Sequence, residues 1–149
     1  MQTLYHWHHT AITSLDFTAS GMSFYSSGLE SVLTKWDINN QHKKFIPRTS
    51  AIIRHITVSA ATSEVAISTA DNSIQIVGLD ALFKDSLQEF TYIVDDKTSE
   101  SKFPVGLRFN PRSNSLVLNG RTGHLQFYST YTKNLLYNVS WFKVVSIKL

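Results

Sequence analysis

The sequence predicts an all-β fold, a partial β-propeller of about three four-stranded blades with a leading strand. Short stretches of alternating apolar and polar residues follow one another, and turn-forming residues separate them. Phe17, Val58 and Phe109 stand at equivalent places, 41 and 51 residues apart, and the first gap is one blade long. No helical period competes over a long window. Residues 1–140 are therefore expected to form one partial propeller.

The first unit, about residues 8–50, is organised around the turn at Gly28, which we expect to adopt a positive φ. A polar turn at 39–44 follows the third strand, and Pro47 ends a short edge segment because proline cannot donate to a ladder. The strands predicted for this unit are 12–17, 23–26, 32–36 and the edge segment 45–46.

The second and third units, about residues 51–102 and 103–140, repeat this order. A short helix is predicted at 79–88 and a polar surface loop at 95–102. The strands predicted for the second unit are 53–58, 65–68, 73–77 and 90–94, and those for the third are 105–109, 116–118, 124–128 and 135–139.

Both ends of the chain differ from these units. Residues 1–7 alternate and predict the outer strand of a preceding blade, whereas 141–149 are apolar without a turn signal. Three units are too few to close a ring, since propellers have four to eight blades. We therefore expect a fragment of a larger propeller, with 141–149 as an atypical tail derived from truncation.

Composition excludes several classes of protein. The 149 residues carry a net charge of +3, which is too small to predict nucleic-acid binding by itself, and contain no cysteine. Disulfide frameworks and thiolate metal sites are thereby excluded. The first residues lack the features of a secretory signal, and no apolar run is long enough to span a bilayer. A soluble intracellular protein is expected.

The first unit resembles the WD-repeat family, because His8 is followed by strands and turns that end at Trp36-Asp37. Trp7 stands where the family usually has glycine. The resemblance implies that His8 is hydrogen-bonded within the blade to the acidic residue of the turn before the third strand. That residue is Glu30 in the first unit and Asp71 in the second, whereas the third has Thr122. The structural network that the resemblance implies comprises His8, Glu30, Trp36, Asp37 and Asp71.

A narrower resemblance rests on the runs 6–9, 30–33, 45–48 and 71–74, which read HWHH, ESVL, FIPR and DNSI. These runs are similar to the nucleolar WD-repeat proteins of the small-subunit processome. The resemblance implies a non-catalytic scaffold of the UTP subcomplex, acting in pre-rRNA processing and linked to rRNA transcription. Its implied partners are other processome proteins and, directly or indirectly, pre-rRNA. Its implied location is the nucleolus within the nucleus, with no membrane or small-molecule substrate.

Catalytic and metal sites are not expected. His6, His8 and His9 lie close together, but zinc needs three or four ligands, and neither cysteine nor a second histidine pair stands nearby. The pairs Asp16/Glu30 and Asp95/Asp96 lack the contrast in environment that acid–base catalysis requires. The sequence has no nucleophile elbow and no phosphate-binding glycine loop. We therefore expect no enzyme activity, no metal and no cofactor.

Direct RNA contact is the main alternative function. Lysine and arginine on loops bind phosphates, although basic residues more commonly form a solvated face. The second alternative is a WD-repeat interaction adaptor unrelated to ribosomes. The candidate residues for RNA-backbone contact are Lys43, Lys44, Arg48, Arg112 and Arg121.

Overall fold

The computed structural model describes residues 3–62, 64–78, 88–91, 104–120 and 124–140. Twelve strands in these ranges form three four-stranded antiparallel sheets, and each sheet follows the order of the chain. The all-β prediction of three four-stranded blades is confirmed. In the described ranges no helix is both long enough and apolar enough to cross a membrane.

Each sheet is one blade, and its first strand is the innermost. Blade 1 contains β1 (Ile12–Phe17), β2 (Ser23–Gly28), β3 (Leu33–Asp37) and β4 (Lys43–Phe45). Blade 2 contains β5 (Ile53–Val58), β6 (Glu64–Thr69), β7 (Ser73–Gly78) and β8 (Gln88–Thr91). Blade 3 contains β9 (Pro104–Phe109), β10 (Ser115–Gly120), β11 (His124–Ser129) and β12 (Leu135–Ser140).

The three blades are in equivalent register at the turn after the innermost strand. One backbone bond of 2.9 Å closes each turn, from Thr18 N to Ser23 O, from Ser59 N to Glu64 O, and from Asn110 N to Ser115 O. The preceding residues Phe17, Val58 and Phe109 are therefore equivalent, as the sequence predicts. This register allows each position of one blade to be compared with its counterpart in the next.

Two outer strands differ from their predicted positions. β4 is Lys43–Phe45 rather than 45–46, because Lys43 and Lys44 pair with Trp36 and Lys35 of β3. The chain reverses earlier than predicted, with Gln41 at a φ of 56°. β8 begins at Gln88, two residues before the predicted strand 90–94, of which residues 92–94 lie outside the described residues. The helix predicted at 79–88 and the loop at 95–102 lie outside the described residues, apart from Gln88, and so does the tail 141–149.

Residues 3–7, the described part of the leading strand predicted at 1–7, form no strand. None of the three described sheets extends beyond β1 to pair with this segment. Instead, the Tyr5 ring packs edge-on against Phe24 and Trp36, with centroid distances of 5.2 and 5.5 Å. The segment therefore covers the aromatic side of blade 1.

The core consists of two apolar clusters, and each joins neighbouring blades. Burial of such side chains contributes roughly 1.5–3 kcal/mol each, so adjacent blades stabilise one another. Between blades 1 and 2 lie Tyr25, Leu33, Ile53, Ile56, Val65, Ile67 and Val77. Between blades 2 and 3 lie Ala66, Ile74, Ile76, Leu107, Leu116, Leu118 and Tyr128.

The turn between β2 and β3 uses its glycine differently from the prediction. Ser31, at a φ of 63°, adopts the left-handed conformation that was expected of Gly28. A Cβ at Gly28 would lie 2.7 Å from Glu30 Oε1, so a larger residue there would displace the Glu30 carboxylate. The glycine lets the Glu30 side chain fold back over the end of β2.

Candidate functional site

A chain of polar side chains crosses blade 1 from its third strand to its N-terminal segment. Trp36 Nε1 on β3 donates to Ser26 Oγ on β2 at 2.7 Å. Ser26 Oγ is also 2.7 Å from His8 Nε2, and His8 Nδ1 bonds to Glu30. A neutral His8 with its proton on Nδ1 satisfies every one of these groups. The arrangement connects four chain segments.

Glu30 is the acidic end of this network. Its second carboxylate oxygen accepts a hydrogen bond from the Thr10 hydroxyl. Burial raises the pKa of Glu30, but the hydrogen bonds from His8 and Thr10 outweigh it and hold that pKa below its usual value. Only 5% of the His8 side chain and 13% of the Glu30 side chain are exposed. Removing His8 would therefore take one hydrogen-bond partner from each of two largely buried groups, Ser26 and Glu30.

Trp36 anchors the other end of the network. It is 4% exposed, and its ring stacks against Phe24 with a centroid distance of 5.9 Å. Trp36 on β3 pairs directly with Phe24 on β2, so both rings lie on the same face of the sheet. The indole thus combines a large apolar burial with one satisfied donor.

Asp37 and Asp71 lie outside this chain of hydrogen bonds. The Asp37 carboxylate accepts from the amide of Asn39 at 3.0 Å and shapes the turn after β3. Asp71 belongs to the turn between β6 and β7, where it bonds to the hydroxyls of Thr69 and Ser50. The Thr69 hydroxyl, acting against burial, lowers the pKa of Asp71 to about 2. Both aspartates therefore stabilise turns.

The polar interior is specific to blade 1. The registers of β2 and β6 make Ile67 the counterpart of Ser26, and Val77 the counterpart of Trp36. Both residues are buried in the apolar cluster between blades 1 and 2. In blade 3 the counterpart of Trp36 is Tyr128, whose hydroxyl donates to Gln126 at 3.0 Å. Thr122, the third-blade position in the sequence comparison, lies outside the described residues.

Neighbouring blades also exchange hydrogen bonds along their innermost strands. Ile56 N donates to Ser14 Oγ at 3.0 Å, and Val58 N donates to Asp16 Oδ2 at 2.9 Å. Asp16 Oδ2 also lies 3.6 Å from Arg108 Nη1 of blade 3. Asp16 is thus a structural contact among three blades.

The basic candidates fall on separate parts of the fold. Lys43 and Lys44 are exposed on β4, and Arg48 is exposed in the connection to blade 2. Lys44 lies opposite Lys35, and Lys43 Nζ lies 6.0 Å from the centroid of the Trp36 ring. Arg112 is exposed in the turn between β9 and β10, on another blade. Arg121 lies outside the described residues.

An open cavity of about 480 Å³ lies beside the innermost strands. Its polar lining includes Ser14 and Arg108, which are already engaged in contacts between blades. Among the described residues, no group of three or more histidine and acidic side chains is placed to hold a metal ion. Ser14 and Arg108 thus take part in contacts between blades at this cavity.

Sequence reasoning missed Ser26 and Thr10, and it treated Asp16 only as a rejected catalytic carboxylate. Ser26 had a detectable signal, since it lies two residues from Phe24 and therefore on the same face of β2 as the aromatic pair. Thr10 had none, because its contact depends on how residues 3–10 cross the blade. The role of Asp16 depends on the position of the next blade.

Two models of one protein family match the chain. The first β-propeller of WD repeat-containing protein 75 matches residues 2–72, and the second β-propeller of the same protein matches residues 107–147. In this structure blade 3, most of which lies in the second matched range, shares an apolar core with blade 2.

Similar full-length proteins have been described from several organisms. WD repeat-containing protein 75 of Xenopus laevis is 40% identical over 138 residues, and that of Homo sapiens is 38% identical over the same length. Each match covers 92% of this chain and 16% of the relative. U3 small nucleolar RNA-associated protein 17 of Schizosaccharomyces pombe is 31% identical over 72 residues, which is 48% of this chain and 9% of that protein.

Solved structures with the same fold share little sequence with the chain. The structure of U3-55K superposes with a TM-score of 0.78 at 16% identity, covering 91% of this chain and 41% of that one. The WD40 repeats of RRP9 superpose with a TM-score of 0.77 at 16% identity, covering 91% and 40%. This likeness shows a WD-repeat propeller fold.

Proposed function

Because the chain belongs to the WD-repeat β-propeller family and matches WD repeat-containing protein 75 over most of its length, we propose that it is a scaffold segment in early small-subunit ribosome biogenesis. It acts without catalysis in pre-rRNA processing, linked to rRNA transcription, as part of the UTP subcomplex. Its place is the nucleolus within the nucleus. The match to a relative named as U3 small nucleolar RNA-associated supports this assignment.

The observation that carries the proposal is the 92% coverage of this chain by WD repeat-containing protein 75. The geometry supports a scaffold because the described histidine and carboxylate clusters hold the blades and turns. His8 and Glu30 bond to each other, and Asp16 and Asp71 bond to neighbouring groups of the same chain. Rigid blades of this kind present their turns to partners.

A tagged pull-down of the full-length gene product from nuclear extract tests the proposal. We expect pre-rRNA and other UTP proteins in the eluate. The matched control is a Trp36→Ala variant, which removes the anchor of blade 1 and should reduce recovery of the same set. A stable set of other partners, with neither pre-rRNA nor UTP proteins, would contradict the ribosomal function and favour an adaptor unrelated to ribosomes.

We propose direct contact with the pre-rRNA backbone as the second candidate function. Lys43, Lys44 and Arg48 are exposed and close in sequence, and none of them belongs to an ion pair within the described part of the chain. Lys35 adds a further positive charge directly opposite Lys44. Unpaired cations on one outer edge favour phosphate binding. Arg112 and Arg121 are weaker candidates because both are far in the sequence from β4. Arg112 lies in the turn between β9 and β10, and Arg121 follows the last residue of β10 in the sequence.

Reversing three charges tests this second function. In the full-length protein, Lys43→Glu, Lys44→Glu and Arg48→Glu together should remove RNA crosslinks to this edge and leave the UTP partners bound. The matched control exchanges lysine and arginine at the same positions, which keeps the charge. Loss of the UTP partners from a folded triple variant would instead make this edge a protein-binding surface, and unchanged crosslinks would exclude the RNA contact.

A further inference from the structure

The net positive charge of the chain is concentrated at the outer edge of blade 1. Residues 34–48 run from β3 through β4 to the connection with blade 2, and they hold four of the 14 basic residues and one of the 11 acidic residues. This stretch therefore carries the full net charge of +3, and the charges of the remaining residues balance. Its one acidic residue, Asp37, already accepts a hydrogen bond from the amide of Asn39. A polyanion is therefore attracted to this edge.

β4 turns its two lysines to opposite faces of blade 1. Lys44 pairs directly with Lys35 of β3, so these two side chains lie on the same face. Like charges directly opposite each other destabilise a strand pair, and a phosphate between them would relieve that repulsion. Within the described ranges neither lysine forms an ion pair. Lys35 and Lys44 can therefore hold one anion together.

The opposite face of the same edge carries an aromatic pair. Because side chains alternate along a strand, Phe45 and Lys43 lie on the face opposite to Lys44. The Trp7 ring packs against Phe45 there, with 4.3 Å between the ring centroids, and holds the Phe45 ring in place. Phe45 nevertheless remains 44% exposed. His9, whose ring centroid lies 6.3 Å from that of Trp7, is exposed as well. The edge thus combines an accessible aromatic surface with lysines on both faces.

Blade 3 carries an aromatic pair on its outer strands without the charge. Phe127 on β11 and Tyr137 on β12 stack with 4.3 Å between their ring centroids, and Tyr137 is 52% exposed. The sequences of β11 and β12 contain no lysine or arginine, whereas those of β3 and β4 contain three lysines. The combination of exposed rings with cations therefore distinguishes the outer edge of blade 1 from that of blade 3.

We propose that this edge binds single-stranded RNA, with one base stacked on Phe45 and a neighbouring phosphate held by Lys35 and Lys44. This binding mode rests on the second candidate function, and it specifies unpaired RNA as the ligand. In a duplex the bases stack on one another, whereas an unpaired base can place its face on an aromatic ring. The ring and the two lysines lie on opposite faces of a strand of three residues, so a flexible single strand can cross the edge and reach both.

Fluorescence anisotropy of a labelled oligouridylate, titrated with the intact chain, tests the stacked base. Phe45→Leu keeps an apolar side chain and loses the ring, so it should weaken binding roughly fivefold to a hundredfold, the effect of losing one base–aromatic contact. Its binding to a duplex RNA of the same length should not change. Phe45→Tyr keeps the ring and should bind the oligouridylate as the wild type does. The matched control is Tyr137→Leu, which opens the aromatic pair of blade 3 and should leave binding unchanged.

The salt dependence of the same titration tests the phosphate contact separately. Lys35→Gln with Lys44→Gln should reduce the slope of log affinity against log salt concentration by about 1.4, the value for two phosphate contacts on a single strand. Phe45→Leu should keep the wild-type slope, because the ring carries no charge.

The outcomes separate this binding mode from the function on which it rests. Weaker binding by the lysine variant together with unchanged binding by Phe45→Leu would overturn the stacked base and leave backbone contact standing. A wild-type chain that binds neither the oligouridylate nor the duplex would overturn both. Binding of polyglutamate as tightly as RNA, unaffected by Phe45→Leu, would make this edge a surface for an acidic protein segment and would also overturn the proposal.

Discussion

The acidic turns of blades 1 and 2 begin at equivalent positions and are built differently. Gly28 ends β2 and Thr69 ends β6, each opposite the first residue of the innermost strand. In blade 1 the glycine leaves space for the longer Glu30, which reaches back to His8 and Thr10. In blade 2 the threonine hydroxyl occupies that region and donates to the shorter Asp71. The longer acidic side chain, Glu30, thus accompanies the glycine, and the shorter one, Asp71, accompanies the larger threonine.

The interiors differ in the same way. Blade 1 has a polar chain from Trp36 through Ser26, whereas blade 2 has Val77 and Ile67 at those positions. Apolar contacts tolerate changes of similar volume, but a buried polar network requires every member to be satisfied. One blade geometry can therefore be stabilised by either kind of interior, but fewer residue types can replace the members of the polar network in blade 1.

The largest expected effect follows loss of the blade 1 anchor. Trp36→Ala should lower the free energy of unfolding by roughly 3–5 kcal/mol, because it removes a buried indole and leaves a cavity. Urea denaturation followed by circular dichroism measures the change. Trp36→Phe is the control that keeps most of the volume and loses the bond to Ser26. A loss below about 1 kcal/mol for Trp36→Ala would place this side chain outside the core.

His8→Ala should have the next largest effect. It removes one hydrogen-bond partner from Ser26 and one from Glu30, which keep only Trp36 and Thr10, so we expect a loss of roughly 1–3 kcal/mol. The matched variant in blade 2 is Ser50→Ala, which removes an exposed bond to the acidic residue Asp71 and should cost well under that amount. Urea denaturation of both variants makes the comparison. Equal losses would show that the network of blade 1 contributes no more than a surface turn.

Much of this fold was predictable because short-range alternation and turn residues fix a meander of antiparallel strands. The first strand, Ile12–Phe17, agrees with the predicted bounds in full. The pairing of His8 with Glu30 came from a family resemblance, and the structure places these residues in contact. Contacts between blades could not be predicted from the sequence, because Asp16 contacts Val58 and Arg108 only after separate blades have packed.

Gly28→Ala tests the compensation between the two acidic turns. The added Cβ displaces the Glu30 carboxylate from His8, and we expect a loss of about 1 kcal/mol, the contribution of an ordinary hydrogen bond. Gly28→Thr with Glu30→Asp copies the pair found in blade 2, and it should recover part of the loss shown by Gly28→Thr alone. A double-mutant cycle gives the coupling between the two positions. Additive effects would mean that the two residues do not compensate for each other.

The smallest expected effect is the pH dependence of Asp71. The pKa of Asp71 is lowered to about 2 in the folded chain, below the value of about 3.9 expected in the unfolded chain. The Asp71 carboxylate therefore stabilises the fold fully above about pH 3.9, and this stabilisation is lost as the pH falls toward 2. Because Asp71 is exposed, solvent screening limits this contribution to less than about 1 kcal/mol.

Urea denaturation between pH 5 and pH 2 measures this dependence, in the range where carboxylates that are hydrogen-bonded in the native state become protonated. Asp71→Asn should give a flatter profile than the wild-type chain, while the fall that remains comes from Glu30, whose pKa is lowered in the same direction. The double variant with Glu30→Gln should be flatter still. Superimposable profiles for wild type and Asp71→Asn would show that the Thr69 hydroxyl bonds to this turn without stabilising the carboxylate over the protonated acid.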